Sequence, residues 1–229
     1  MGAVKLEDAL FYDGFQDIDG VYGGYNHVAE TFEKIIDERE DIRKAYKLPP
    51  EANLDITLED ANRWAYESIQ KWIKAQERGF FKEVFPVEVP QRKKPPIIVD
   101  RDETPRTDTT MEKLAKLSPV FKLGVWPAIS IPKVLEKTGL ALEEMDIIEI
   151  NEASAAQTLF CVNALGLPRE KVNVNGGAVA VGHPPGLTGA RLILTALYAL
   201  REREKKYAVV SQCAGGGCGM ATVIRAWAE

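Results

Sequence analysis

Cysteine and histidine are scarce in this sequence: Cys161, Cys213 and Cys218 are the three cysteines, and there are two histidines in 229 residues. No CxxC pair or Cys/His ligand spacing occurs, so a zinc framework or a disulfide-stapled scaffold is a weak reading; no metal is expected and the thiols are expected to be reduced. No apolar run approaches the ~18 residues that a membrane-spanning helix requires. Lys5 followed closely by Glu7 and Asp8 leaves no apolar signal core. These absences give the expectation of a soluble, cytoplasmic chain with no membrane partner. Positive charge is in deficit, with 29 Lys and Arg against 34 Asp and Glu, a net charge of −5 and a pI near 5.3. Such a field repels nucleic acid, so no nucleic-acid partner is expected and any anionic ligand needs a local basic cluster. No internal repeat is visible.

What is present is globular composition, 45% hydrophobic and 28% charged, which excludes a disordered or fibrous chain. The charge is unevenly placed. Residues 1–122 hold 19 Lys and Arg against 24 Asp and Glu, so the whole excess of acid lies there. Two later stretches, Val172–Ala190 and Tyr207–Ile224, carry no formally charged residue and are rich in Gly, Val and Ala, which predicts burial.

The second half alternates. Ser130 as N-cap with Pro132 in the first turn predicts a helix stopped by Gly139; residues 145–150 read as a buried strand and 152–165 as a helix ended by Gly166. A short strand over 172–175, a long helix over 186–204 and strands over 207–213 and 220–227, joined by a Gly-rich turn, follow. This is a βα-alternating, layered α/β pattern. The first half reads differently, with helices over about 28–46 and 57–78, short strands near 84–89 and 97–99, and a Thr110-capped helix over 111–117. Thr57 caps the second of these, with Asp60 three residues on and an apolar face of Ala61, Trp64, Ala65, Ile69, Trp72 and Ile73. Pro86, Pro90, Pro95, Pro96 and Pro105 suit an excursion packed on another body. The boundary falls at about residues 118–127.

Three segments carry chemistry: NEASAAQ (151–157), NVNGGAVAVGHPPGLTGAR (173–191) and SQCAGGGCGM (211–220). Taken singly, Asn151 could be a helix N-cap, His183 could bond a backbone carbonyl in a Gly/Pro turn, and Cys213 could be an inert thiol between two strands. Together they place an amide, an imidazole and a thiol beside Gly-rich backbone, each at a strand end, where layered α/β folds gather their sites.

These segments closely resemble the C-terminal half of the thiolase family, with its NEAFA-type, GGA-x-A-x-GHP-x-G and C-x-GGG motifs in the same order. Residues 67–93 (ESIQKWIKAQERGFFKEVFPVEVPQRK) and 107–122 (TDTTMEKLAKLSPVFK) resemble the thiolase loop domain that covers coenzyme A. The exceptions are an unmatched insert at about residues 33–55 and Pro185, where thiolases usually carry an aliphatic residue. The resemblance implies a thiolase-like layered fold, with a mixed sheet and helices on both faces, in a C-terminal catalytic domain over residues 123–229, and an α+β loop domain over residues 1–122.

The resemblance also implies roles. His183 would deprotonate a nucleophilic cysteine and line an oxyanion hole, and Asn151 would hold a water there. Cys213 would be the acid/base of Claisen condensation, and Gly215 would offer its N–H to the thioester oxygen. A thiol of ordinary pKa ~8.5 in an uncharged pocket is compatible with exchanging a proton with an acidified α-carbon. No resident cofactor is implied, coenzyme A thioesters being substrates. Arg92, in the Arg92–Lys94 cluster, matches a position that contacts the nucleotide; His27 reads as structural.

The thiolase half that carries the nucleophilic cysteine has no counterpart here. Between PVFK (119–122) and PAISIPKVLEKTGL (127–140), where thiolases insert further strands and a helix, only Leu123–Trp126 remain. Cys161 falls within a predicted apolar helix and Cys218 after the glycines, neither in the turn a nucleophile would occupy. Both gaps imply a hetero-oligomer in which a second thiolase subunit supplies the nucleophilic cysteine, acting on acetyl-CoA and acetoacetyl-CoA. The alternatives are a non-catalytic acyl-CoA-binding or scaffold remnant, and a cysteine hydrolase using Cys213 and His183, for which no nucleophile elbow is visible.

Overall fold

The structure is a computed structural model and describes residues 56–117, 127–214 and 218–226. The helix expected over 28–46, the insert, His27, Gly215 and almost all of the expected domain boundary lie outside the described residues. No helix among those described is long and apolar enough to cross a membrane.

Helix α1 (Leu58–Glu77) opens as its sequence predicts. Thr57 Oγ1 accepts from the Asp60 N–H, and the Asp60 carboxylate accepts in return from the Thr57 N–H, each at 3.1 Å. Trp64, Ala65, Ser68, Ile69, Trp72 and Ala75 form its buried stripe. Strands β1 (Val87–Gln91) and β2 (Lys94–Val99) follow as an antiparallel hairpin around Arg92 and Lys93. They lie closer to the turn than expected. A two-stranded ribbon leaves each strand an unpaired edge, which tolerates Pro90, Pro95 and Pro96. Helix α2 (Met111–Leu114) is capped by Thr110.

Helix α3 (Pro127–Thr138) starts earlier than expected. Ser130 is not its cap; its hydroxyl lies within the helix, 2.8 Å from that of Ser211 on the sheet. Pro132 sits inside the helix rather than in its first turn, forgoing one ladder bond. Gly139, at φ 67°, ends it as predicted. After β3 (Ile147–Ile150), helix α4 (Ala155–Ala164) is capped by Ser154, so Asn151 is not an N-cap. The expected strand over 172–175 reduces to one bridge, Val172 beside Ile148. The short α5 (Ala178–Val181) and the long α6 (Thr188–Glu202) lead to β4 (Tyr207–Ala214) and β5 (Cys218–Arg225).

The sheet runs β3-β4-β5, with β3 and β4 parallel and β5 antiparallel. Side chains alternate across it. Ile148, Ile150 and Val209 face one core with α3 and α4, whereas Ile147, Ala208 and Val210 face another with Leu192, Ala196 and Leu200 of α6. Helices thus cover both faces, and the motifs converge at the C-terminal ends of β3 and β4.

Candidate active site

Asn151 follows the last residue of β3, and its N–H bonds the Ser211 carbonyl at 2.9 Å, extending the β3–β4 pairing by one step. The side chain is fully buried. Its Nδ2 lies 3.4 Å from His183 Nε2, so residues 32 apart in sequence meet at the sheet's end. The Asn151 Oδ1 is buried without a hydrogen-bond partner.

His183 is oriented from its other side. Thr188 Oγ1, at the start of α6, lies 2.7 Å from His183 Nδ1 and donates its own hydrogen to the Pro184 carbonyl at 3.0 Å. A hydroxyl has one hydrogen to give, so at the imidazole it must accept, which places the ring proton on Nδ1. The Nε2 lone pair is left facing Asn151. Burial, and secondly the Arg191 guanidinium, hold the imidazole below the ordinary histidine value, favouring the neutral ring that a base requires.

Cys213 stands two residues beyond Ser211 on β4, opposite Gly219 of β5. It is half-buried, and desolvation pushes its thiol up. It lies at the same sheet end as Asn151 and His183 but is not hydrogen-bonded to them. Gly215 lies outside the described residues. Arg92 is in the exposed hairpin turn, beside Lys93 at φ 66°, and forms no part of this cluster. Cys161 is fully buried on α4 with its thiol pushed up to about 12, which removes it as a nucleophile.

Four residues that the motif reading did not single out build the support. Glu152 is 3% exposed, and its Oε1 accepts from Trp64 Nε1 and Asn173 Nδ2, each at 3.0 Å. Its Oε2 accepts from Ser68 Oγ at 2.8 Å and the Val179 N–H at 2.9 Å. Asn173, held at φ 43°, brackets Ile150 with its amide, accepting from the N–H at 2.8 Å and donating to the carbonyl at 2.9 Å. Ser68, which holds Glu152 Oε2, and Thr188, which orients His183, complete the four. The NEA and NVN motifs held the first two in plain sight, but nothing in their spacing revealed their partners on α1. Gly176 and Gly177 make the crossing possible: a Cβ at Gly176 would lie 2.5 Å from the Ser68 carbonyl oxygen, and one at Gly177 would lie 2.4 Å from the Glu152 carboxyl carbon. Among the described residues no group of His, Cys, Asp and Glu is arranged to hold a metal ion.

Comparison with known proteins matches residues 50–126 to the family model "Thiolase, N-terminal domain" and residues 108–226 to "Thiolase, C-terminal domain". The beta-ketoadipyl-CoA thiolase of Acinetobacter baylyi is 39% identical over 223 residues, covering 74% of this chain and 56% of that protein. A probable acetyl-CoA acyltransferase of Staphylococcus epidermidis is 33% identical over 276 residues, covering 98% of this chain and 65% of its own length. The aligned span exceeds the 229 residues here, so that relative carries residues inside it that this chain does not. Among solved structures, the Bacillus anthracis acetyl-CoA acetyltransferase superposes with a TM-score of 0.70 at 32% identity, covering 84% of this chain and 60% of that one. The chain spans about half to two thirds of the length of these relatives.

Proposed function

Because the chain belongs to the thiolase family, we propose that it supplies His183, Asn151 and Cys213 to an acetyl-CoA C-acetyltransferase site completed by a nucleophilic cysteine on a partner subunit. The observation that carries this reading is the contact between Asn151 and a His183 whose Nε2 is unprotonated and held only by a long 3.4 Å contact from the Asn151 amide, so that it can accept a proton. In the condensation direction, His183 Nε2 takes the proton of the partner's thiol and the thiolate attacks the acetyl-CoA carbonyl. The acetyl group passes to that sulfur, and CoA departs as its sulfur takes back the proton held on His183. Asn151, through a water, and the Gly215 N–H stabilise the oxyanions. Cys213, having given its proton to solvent, then takes an α-proton from a second acetyl-CoA as the thiolate; the carbanion attacks the acetyl-enzyme carbonyl, and acetoacetyl-CoA forms as the partner's thiolate leaves and regains a proton from solvent. A thiol pushed up by burial makes its thiolate the stronger base for this step.

Two features of this chain call for a partner. Cys161 is inert, and the Staphylococcus relative carries residues within the aligned span that this chain does not. Residues 1–122 act as the loop domain, with Arg92 contacting the nucleotide, and residues 123–229 as the catalytic domain, in a cytoplasmic hetero-oligomer without a resident cofactor.

The test is acetoacetyl-CoA thiolysis by this chain, alone and co-purified with a chain bearing a thiolase nucleophile half. The expected result is turnover only in the pair. Turnover by the single chain overturns the partner requirement, and acyl-CoA binding without turnover in either preparation favours a binding or scaffold role.

A further inference from the structure

Glu152 is acidic, almost wholly buried, and surrounded on every side by donors. Trp64 and Ser68 come from α1, Asn173 from the segment beside β3, and the Val179 N–H from α5, four residues before His183. Four donors on two oxygens demand an acceptor-only group, which among side chains of this length is the ionised carboxylate. Three of the donors cannot be reversed. An indole and a backbone N–H only donate, and the Asn173 amide is fixed because its Oδ1 already accepts from Ile150. Ser68 alone could turn, but its oxygen also accepts from the Gly177 N–H at 2.9 Å. The cluster closes on itself.

We infer that Glu152 is a positioning residue for His183, a buried carboxylate that ties the first-domain helix α1 to the α5 turn and so sets where the imidazole stands against Asn151. It acts at both ends of that contact. It is covalently next to Asn151, and through Val179 and the Ser68–Gly177 bond it holds the segment leading into His183. This inference rests on the reading of His183 as the base, and its test uses a signal that requires no turnover, so the two fail separately.

Glu152→Gln is the probing variant. An amide can offer its oxygen to one pair of donors only, leaving an N–H against either Trp64 and Asn173 or Ser68 and Val179. The chain has two histidines, so in a His27→Asn background the ring-nitrogen NMR shifts report His183 alone, as the Nδ1–H tautomer in the parent. The expected result for Glu152→Gln is loss of that single-tautomer signature and at least a tenfold loss of hydrogen-exchange protection at the Val179 amide. Ser68→Ala should give a smaller change in the same direction. Glu202→Gln, which weakens the partly exposed pair with Arg78 outside the Glu152 hydrogen bonds, controls for general destabilisation and should leave the His183 signals unmoved. Folded Glu152→Gln with parental His183 signals overturns the inference. If that variant does not fold, unchanged His183 signals in Ser68→Ala overturn it, as would an equal change in Glu202→Gln.

Discussion

The Thr188 hydroxyl, 2.7 Å from His183 Nδ1 and donating to the Pro184 carbonyl, makes the Nδ1–H tautomer of His183 a consequence of one hydrogen's direction. Thr188→Val keeps the shape and removes the acceptor. In the assembled enzyme the acylation rate is expected to fall about ten- to hundredfold with KM little changed, less than the ~10⁴ that an ionised orienting partner is worth. Thr188→Ser should restore it. Rapid-quench measurement of acyl-enzyme formation decides, and parental rates in Thr188→Val would remove the hydroxyl from the mechanism.

The roles proposed for Cys213 and His183 should separate by half-reaction. Cys213→Ser should allow acylation of the partner's cysteine by acetyl-CoA and slow condensation by roughly 10²–10⁴, the usual worth of a positioned acid/base. His183→Asn should impair both steps. Radiolabelled acetyl transfer, scored with and without a second acetyl-CoA, separates them, and identical losses at both steps would refute the division.

Much of this fold was legible because its signals are local: short apolar runs for the strands, Gly139 and Gly166 as stops, and the Thr57–Asp60 capping box. The misplaced starts share a cause. Ser130 and Asn151 have the chemistry of caps, but tertiary partners, Ser211 in one case and His183 in the other, had the stronger claim on them. The contact between Asn151 and His183 could be suspected from motif order. Its support could not be read, since Trp64 and Ser68 lie 88 and 84 residues from Glu152 in sequence, and no local pattern encodes a convergence of donors.

Gly177→Ala tests how tightly that support is packed. The added methyl would meet the Glu152 carboxyl carbon at 2.4 Å, and the obstacle is a carboxylate held by four bonds rather than a free chain end. Overpacking of a built core typically costs about 1–3 kcal/mol. A drop in thermal midpoint with His183 signals displaced is expected; an unchanged midpoint would mean that the segment yields.

Arg92→Ala should raise KM for CoA substrates of the assembled enzyme about tenfold, with kcat held, since a nucleotide contact remote from the thioester binds ground and transition states alike. The effect should shrink as salt rises. Its exposed place in the hairpin turn fits such a contact and equally fits a solvated loop, so kinetics at low and high salt are the measurement. No change in KM returns Arg92 to the solvated loop.

Glu149 gives the pH test. It is fully buried on the α6 side of β3 with both carboxylate oxygens unpartnered. Desolvation, opposed chiefly by Arg191, pushes it up to about 8 from an ordinary 4.5. The folded chain therefore keeps a proton across that interval which the unfolded chain releases. Stability contributed by this group is full below about pH 4.5 and is lost as pH rises towards 8, the reverse of a salt-bridged carboxylate. Glu149→Gln fixes the neutral form. Its thermal midpoint should match the parent near pH 5 and exceed it at pH 9, the difference approaching ~4–5 kcal/mol if the whole shift is expressed. Differential scanning calorimetry at the two pH values measures it. A variant less stable than the parent at pH 9 would show that Glu149 folds as a carboxylate paired with Arg191, and the sign of its pH dependence would reverse.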